Sequence, residues 1–328
     1  MPSPAIGIRL LCVNNVKAIG GYFELDGGGG TSLLPDGVLL NSGRNALRHI
    51  VRELGVKRIH VPYYTCPVVW DALKAEGCEL EFYEIGANFK PRTIFRRSDF
   101  VLYTNYFGCC GGIVDDLADD YPNLIVDCAQ AYYARPKGRA GFSSPRKFFG
   151  VPDGGVAYGV DFKPDGDEYP LDDSRERMAH LHLRKNGEVE KGYAAFKNAE
   201  ASLDGAEIMR MSLETRRMLE HIDRERYADI RMSNFAFLDN VLHSEFPFHR
   251  SSDDVPMVYP YITDNPRLRS PLIQEKIYVA SYWPGVCNCG NLQERILPLP
   301  IDQRYGEEDM ARIVSVIRTN EVAENEDR

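Results

Sequence analysis

The chain has 328 residues, 44% of them hydrophobic, which is enough for a packed core in one large domain or two. Its 48 acidic side chains outnumber 39 basic ones, and the formal net charge of -9 excludes a general attraction to nucleic acid or anionic lipid. The eight cysteines are scattered, with no CxxC and no second pair at zinc-finger spacing behind Cys109-Cys110 or Cys287-Asn288-Cys289. Neither a disulfide framework nor a metal site is expected from them.

At the N-terminus Arg9 interrupts a short apolar stretch and no small-residue cleavage site follows, so the segment makes a poor signal peptide. Nowhere do about 18 apolar residues run together without a charge, which argues against a membrane span. A soluble, cytoplasmic protein with no membrane or nucleic-acid partner is the expectation. The run Gly27-Gly28-Gly29-Gly30 lacks GxGxxG or GxxxxGK[ST] spacing and is read as a flexible surface loop without chemistry.

From 38 to 160 short β-like runs alternate with amphipathic ones. Residues 38–40 lead into Asn41-Ser42-Gly43, a turn with good N-cap residues. Ala46, Leu47, Ile50, Val51 and Leu54 then recur at helical spacing, and Gly55 supplies a stop. Strands are predicted over 58–62, 79–84, 99–106 and 123–127, and helices over 67–76 and 115–120. Such alternation indicates βαβ units and a mostly parallel sheet. Residues 161–205 read as charged and irregular, with a loop over 161–168. One or two long helices follow over 206–242, then strands over 255–260 and 275–280 and a helix near 307–319. His180 and His182 lie in the charged stretch and are expected to face solvent.

Four groups in the first half fit one cofactor. Ile125-Val126-Asp127-Cys128-Ala129-Gln130 is an apolar strand ending in a carboxylate, which places Asp127 at the C-terminal edge of the sheet. Gln130 is a second candidate contact. Lys147 stands in Ser143-Ser144-Pro145-Arg146-Lys147-Phe148-Phe149-Gly150. Apolar neighbours and an adjacent cation would lower its amine pKa, and Ser143 and Ser144 offer hydroxyls to a phosphate. Ser42-Gly43-Arg44 opens a helix whose free N–H groups and dipole suit an anion, although a simple cap would look the same. Tyr63 and Tyr64 end another strand, where one could stack on a ring or merely pack in the core. Pyridoxal 5'-phosphate (PLP) needs such a set: an amine, an acid for its ring nitrogen, a phosphate cradle and a cover for the ring.

In order and spacing these groups resemble the DegT/DnrJ/StrS family, whose members share the fold of aspartate aminotransferase. Ser42-Gly43-Arg44-Asn45-Ala46-Leu47 is similar to the family's S-G-T-x-A-L, with Arg44 in place of Thr. Val61-Pro62-Tyr63-Tyr64-Thr65 is similar to V-P-S/A-F/Y-T, and Asp127-Cys128-Ala129-Gln130 matches D-x-A-Q. Residues 142–155 resemble S-F-x-x-x-K…G-x-G-G, one residue short before the paired glycines. No N-x-R-M segment is found, and 191–203 occupies about its place.

The resemblance implies Lys147 as the Schiff-base lysine, Asp127 at the pyridine nitrogen and Gln130 beside the cofactor. It also implies Tyr64 near the ring, and Ser42, Gly43, Arg44, Ser143 and Ser144 around the phosphate. The implied fold is α/β, a PLP-binding large domain (1–205) built on a mostly parallel central sheet, followed by a long helix and a smaller α+β domain (206–328). A homodimer moving an amino group from an amino acid, glutamate foremost, to a keto sugar is the implied activity. A PLP lyase or dehydratase and a non-catalytic relative are the alternatives.

Overall fold

The computed structural model describes residues 16–135, 137–161, 169–247, 250–286 and 292–326. The N-terminal segment before Val16, most of the loop expected after Asp161, and the cysteines Cys12, Cys287 and Cys289 lie outside the described residues.

In chain order the first part comprises β1 (Ile19–Gly20), β2 (Val38–Leu40), α1 (Gly43–Glu53), β3 (Arg58–Pro62), α2 (Pro67–Ala75) and β4 (Glu79–Tyr83). There follow β5 (Val101–Thr104), α3 (Gly111–Asp120), β6 (Leu124–Asp127), β7 (Ala140–Ser143) and β8 (Gly155–Tyr158). Local chemistry sets the first helix. Ser42 caps α1, its Oγ accepting from the Asn45 N–H at 3.2 Å. Ala46, Leu47, Ile50 and Val51 make the buried stripe, and Gly55 ends the helix in the left-handed region.

The main sheet has seven strands in the order β2-β8-β7-β6-β5-β3-β4. All neighbours are parallel except those of β8, which runs antiparallel between β2 and β7. The central strands β5 and β6 are buried throughout, as expected of a parallel sheet covered on both faces. Alternate side chains serve opposite faces. Leu102 and Ile125 pack with the apolar stripes of α1 and α2. Val101, Tyr103, Leu124 and Val126 pack instead with α3 and with the C-terminal part of the chain.

That later part holds α4 (Ala179–Lys185), α5 (Val189–Ala201), α6 (Leu213–Glu220), α7 (Arg224–Leu242) and β9 (Val258–Ile262). It ends with α8 (Arg269–Gln274), β10 (Ile277–Tyr278), α9 (Leu292–Arg295), β11 (Ile296–Pro300) and α10 (Glu307–Glu326). The expected long helical stretch is α6 and α7, separated where Asp223 caps α7 through its Oδ1. Strands β9 and β11 pair antiparallel, and β1 crosses over to pair with β10. No helix among the described residues is long and apolar enough to cross a membrane.

The segment expected to be irregular is a correction, since α4 and α5 lie within it. Helix α5 fully buries only Gly192 and Ala199, and its short apolar face of Val189, Tyr193 and Phe196 ends on the charged Glu200.

A backbone contact joins β8 to the start of α1. The Gly154 N–H donates to the Asn41 carbonyl at 2.8 Å, and a β-carbon on Gly155 would collide with the Ser42 carbonyl. Gly155→Ala is therefore expected to destabilise the fold by about 1–3 kcal/mol, as overpacking does. Gly27→Ala, which meets open space, should stay within about 0.5 kcal/mol of the parent in the same urea unfolding experiment.

Candidate active site

The C-terminal edge of the parallel strands gathers the sequence motifs. Strand β2 feeds Ser42 and the start of α1, and β6 ends on Asp127. Strand β7 feeds Ser144 and a single 3-10 turn, Pro145–Lys147. Because β8 runs the other way, its first residues, the paired glycines, lie at the same edge. Ser42, Gly43, Arg44, Asp127, Ser144 and Lys147 all line one cavity of about 920 Å³.

Three other candidates are placed elsewhere. Gln130 is buried, and its Oε1 accepts from the Phe107 N–H at 2.7 Å, holding a residue with φ of 59°. Tyr64 stacks on Tyr106 at 5.5 Å and meets Trp283 edge-on at 4.8 Å within the aromatic core. The Ser143 hydroxyl bonds to the Tyr158 hydroxyl at 3.1 Å. None of the three is on the cavity wall.

Asp127 is 4% exposed and its Oδ1 accepts from the Ala129 N–H at 2.8 Å. Burial pushes its carboxyl up, opposed by the charge of Lys147 and by the Ala129 N–H. Lys147 itself is exposed to the cavity, contrary to the desolvated lysine expected from its phenylalanine neighbours. The 3-10 turn explains the difference: Phe148 and Phe149 turn into the core against Tyr132, at 5.7 Å and 4.8 Å.

Two arginines of the motifs are engaged by α5 and the turn after it. Arg44 pairs with Asp204 and lies 3.9 Å from Glu200, while Arg146 pairs with Glu200. Burial pushes the Glu200 carboxyl up, but Arg146, Arg44 and Lys147 outweigh it and hold the group below the usual carboxylate range.

Helices α4 and α5 supply wall residues that the motifs did not reveal. Val189, Tyr193, Phe196 and Glu200 fall on one face of α5 and line the cavity. Their spacing was present in the sequence, but in a mixed polar and aromatic face that apolar periodicity overlooks. From α4 come His180, Leu181 and Arg184. His180 was expected to face solvent. It is instead 3% exposed, packed edge-on to Tyr22 at 5.8 Å and Phe196 at 5.6 Å, because α4 turns this face inward.

The missing N-x-R-M has a partial counterpart in Ile208-Met209-Arg210-Met211, with Ile where that pattern has Asn. This run lies along β2, the Met211 N–H donating to the Leu39 carbonyl at 3.1 Å, and Ile208 is buried in the core. Among the described residues no group of three or more His, Cys, Asp or Glu is placed to hold a metal.

Burial, with the nearby Arg146, lowers the His180 pKa from 6.5 to about 4. Between those values the unfolded chain binds a proton that the folded chain does not, so stability falls as pH drops through this window. Buried carboxylates such as Asp127, raised by burial, tilt the curve the other way. The comparison is therefore with His180→Gln: the loss of unfolding free energy from about pH 7 to about pH 5 should be smaller in the variant.

No family model matches the chain, and no curated protein sequence is similar to it. Solved structures are similar over most of its length. Spr1654 from Streptococcus pneumoniae in its PLP form, assigned as a sugar aminotransferase, is 14% identical with a TM-score of 0.60. The similarity covers 87% of this chain and 86% of that one. A DegT DnrJ EryC1 StrS aminotransferase from Brucella abortus is 16% identical, over 86% of this chain and 85% of that chain, with a TM-score of 0.58. DesV from S. venezuelae, in complex with a ketimine intermediate, is 18% identical over 86% and 84%, with a TM-score of 0.59. At such identities the likeness is one of fold, and the chain has the mixed α/β fold, built on a large mostly parallel sheet, that these aminotransferases share.

Proposed function

We propose that this chain is a PLP-dependent aminotransferase that takes an amino group from an amino acid and delivers it to a keto sugar or similar carbonyl compound. The observation that carries this reading is the pairing, on one cavity wall, of a buried carboxylate, Asp127, with an exposed amine, Lys147. The solved structures of the same fold, one in a PLP form and one with a ketimine, support it.

The residues present fit PLP. Gly43 leaves a bare stretch of backbone at the N-terminus of α1, where a β-carbon would already stand 3.4 Å from Ser144 Cβ. The start of α1, the Ser144 hydroxyl and the Arg44 guanidinium, which Asp204 and Glu200 already partner, stand together on the cavity wall as a donor set for a phosphate. Asp127, its carboxyl raised by burial despite the charge of Lys147, would be held ionised by a protonated ring nitrogen beside it. Ala129 and Cys66 line the cavity where Tyr64 was expected to cover the ring. Gln130 supports the site from behind by fixing the backbone of Phe107.

When bound, PLP supplies an electron sink for negative charge at the substrate α-carbon. Lys147 would hold the cofactor covalently through its Nζ. The same amine, free in the cavity, is the group placed to take a proton from the substrate α-carbon and return it. Asp127 would keep the ring nitrogen of bound PLP protonated, and the stacked aromatic faces of Tyr22 and Phe196 would help exclude water from the cavity. Glutamate as donor, a homodimer and a cytoplasmic location belong to this reading through the resemblance in sequence. So does the division at about residue 205: the cofactor groups all precede it, and among the described residues only Met257 and 278–282 reach the wall from beyond.

The test starts from the visible spectrum of the purified chain with added PLP. A band fixed by borohydride in the parent and absent in Lys147→Ala is expected, with amino transfer from glutamate to keto sugars in the parent alone. Lys147→Ala should lower the rate about 100-fold to 10,000-fold, the usual weight of a general acid–base group. Asp127→Asn should retain the cofactor and lose most turnover. A parent that binds PLP without amino transfer would make the chain a lyase or dehydratase, and one that binds none would make it a non-catalytic relative.

A further inference from the structure

We propose that Arg184, standing over the bare backbone of Gly20 and Gly21, is the carboxylate-binding residue of the cavity. It rests on the aminotransferase reading only in identifying the acid as the amino donor or its keto product.

Arg184 is 5% exposed and lies on the cavity wall. Its Nη2 donates to the Gly20 carbonyl at 2.6 Å and its guanidinium lies 5.0 Å from the centre of the Tyr22 ring. Nη1 and Nε make no hydrogen bond among the described residues. A buried guanidinium with two nitrogens lacking a hydrogen bond is costly, and when it stands in a cavity wall it is a candidate ligand-binding group.

The neighbouring charges show why it is left over. Asp302, the nearest well-buried carboxylate, is taken by Arg304 in a two-point pair, Nε–Oδ1 at 2.7 Å and Nη2–Oδ2 at 2.9 Å. Glu24 reaches Arg184 only at 3.9 Å and is itself 43% exposed. Arg304 adds like-charge repulsion that an incoming anion would relieve.

The backbone has made room at Nη1. Gly21, with φ of 72°, would place a β-carbon 3.2 Å from that atom, so any side chain here would crowd the position a ligand oxygen needs. His180, one turn earlier on α4, adds an aromatic, uncharged wall on the same cavity. One planar cation offers its fork to one carboxylate group of a ligand, and Glu24 and Glu190 nearby disfavour the clustered charges of a diphosphate at the same point.

The experiment is titration calorimetry of the full chain with 2-oxoglutarate and, separately, inorganic phosphate, comparing the parent with Arg184→Gln before and after PLP is added. Affinity for 2-oxoglutarate should fall about tenfold or more in Arg184→Gln, as loss of a charged hydrogen bond does. The spectrum with PLP should be unchanged. Equal 2-oxoglutarate affinity in parent and variant overturns the proposal. So does a loss confined to phosphate, which would give Arg184 to a phosphorylated substrate. If Arg184→Gln does not fold, Arg184→Lys keeps a donor for the Gly20 carbonyl and loses the planar fork. Its 2-oxoglutarate affinity should fall likewise, and parental affinity there is equally fatal. A parent that binds 2-oxoglutarate but no PLP sinks the aminotransferase reading and leaves the subsite standing.

Discussion

The site depends on a place where two backbones touch without a side chain between them. Gly155 opens β8 directly against the Ser42 carbonyl, and the preceding Gly154 N–H is bonded to Asn41. With β8 fixed there, antiparallel between β2 and β7, the N-terminus of α1 must lie beside the loop that follows β7. Gly43 and Ser144 are then near enough to share one anion, and Lys147 follows Ser144 by a single 3-10 turn. Asp127 enters the same edge one strand further along, its register set by pairing with Phe142. The chemistry-bearing groups thus come from strand ends whose spacing the sheet dictates.

A second constraint holds the loop after Lys147. Arg231 of α7 is fully buried and donates to the carbonyls of Phe148 at 3.3 Å and Met257 at 3.1 Å, and to Gln303 Oε1 at 3.1 Å. Its guanidinium also lies 4.7 Å from the Phe148 ring centre. One side chain therefore ties the lysine loop to α7, to the approach to β9 and to the turn before α10. The backbone of Phe148 is held while the neighbouring Lys147 side chain remains exposed to the cavity.

Much of this was legible in the sequence, and the exceptions have physical causes. Strands β2 to β6 and helices α1 and α2 announce themselves because apolar runs, caps and stop glycines agree along that stretch. Asp127 and Lys147 were found by the order of motifs, and they share the cavity. Tyr64 and Ser143 were misplaced relative to it because a strand end fixes position but not which way each side chain points. Lys147 was expected to be desolvated because Phe148 and Phe149 follow it, yet a 3-10 turn sends those rings to the core. The glycine run looked like a free loop, but the Gly30 N–H is bonded to the His221 carbonyl at 2.9 Å, a long-range contact that composition cannot announce. Helices α4 and α5 were missed for the converse reason: the face they turn to the cavity carries His180, Arg184, Tyr193 and Glu200, residues that read as surface until a cavity is known to lie opposite.

The cavity is also where the two ends of the chain meet. Strand β1 pairs with β10, setting Gly21 and Tyr22 beside Tyr278, while the far wall belongs to the edge of the main sheet. Between them α4 and α5 are held to the rest largely by contacts across the wall: Tyr22 to the Val189 carbonyl, Arg184 to Gly20, and Arg146 and Arg44 to Glu200. A ligand that contacts Arg44, Lys147 and Arg184 together bridges the edge of the main sheet and α4. Binding to the folded state alone adds stability in proportion to the logarithm of ligand concentration over its dissociation constant. The parts joined across the cavity, rather than the seven-stranded sheet, are where that added stability acts, because the sheet's strands are already buried on both faces and bonded to one another.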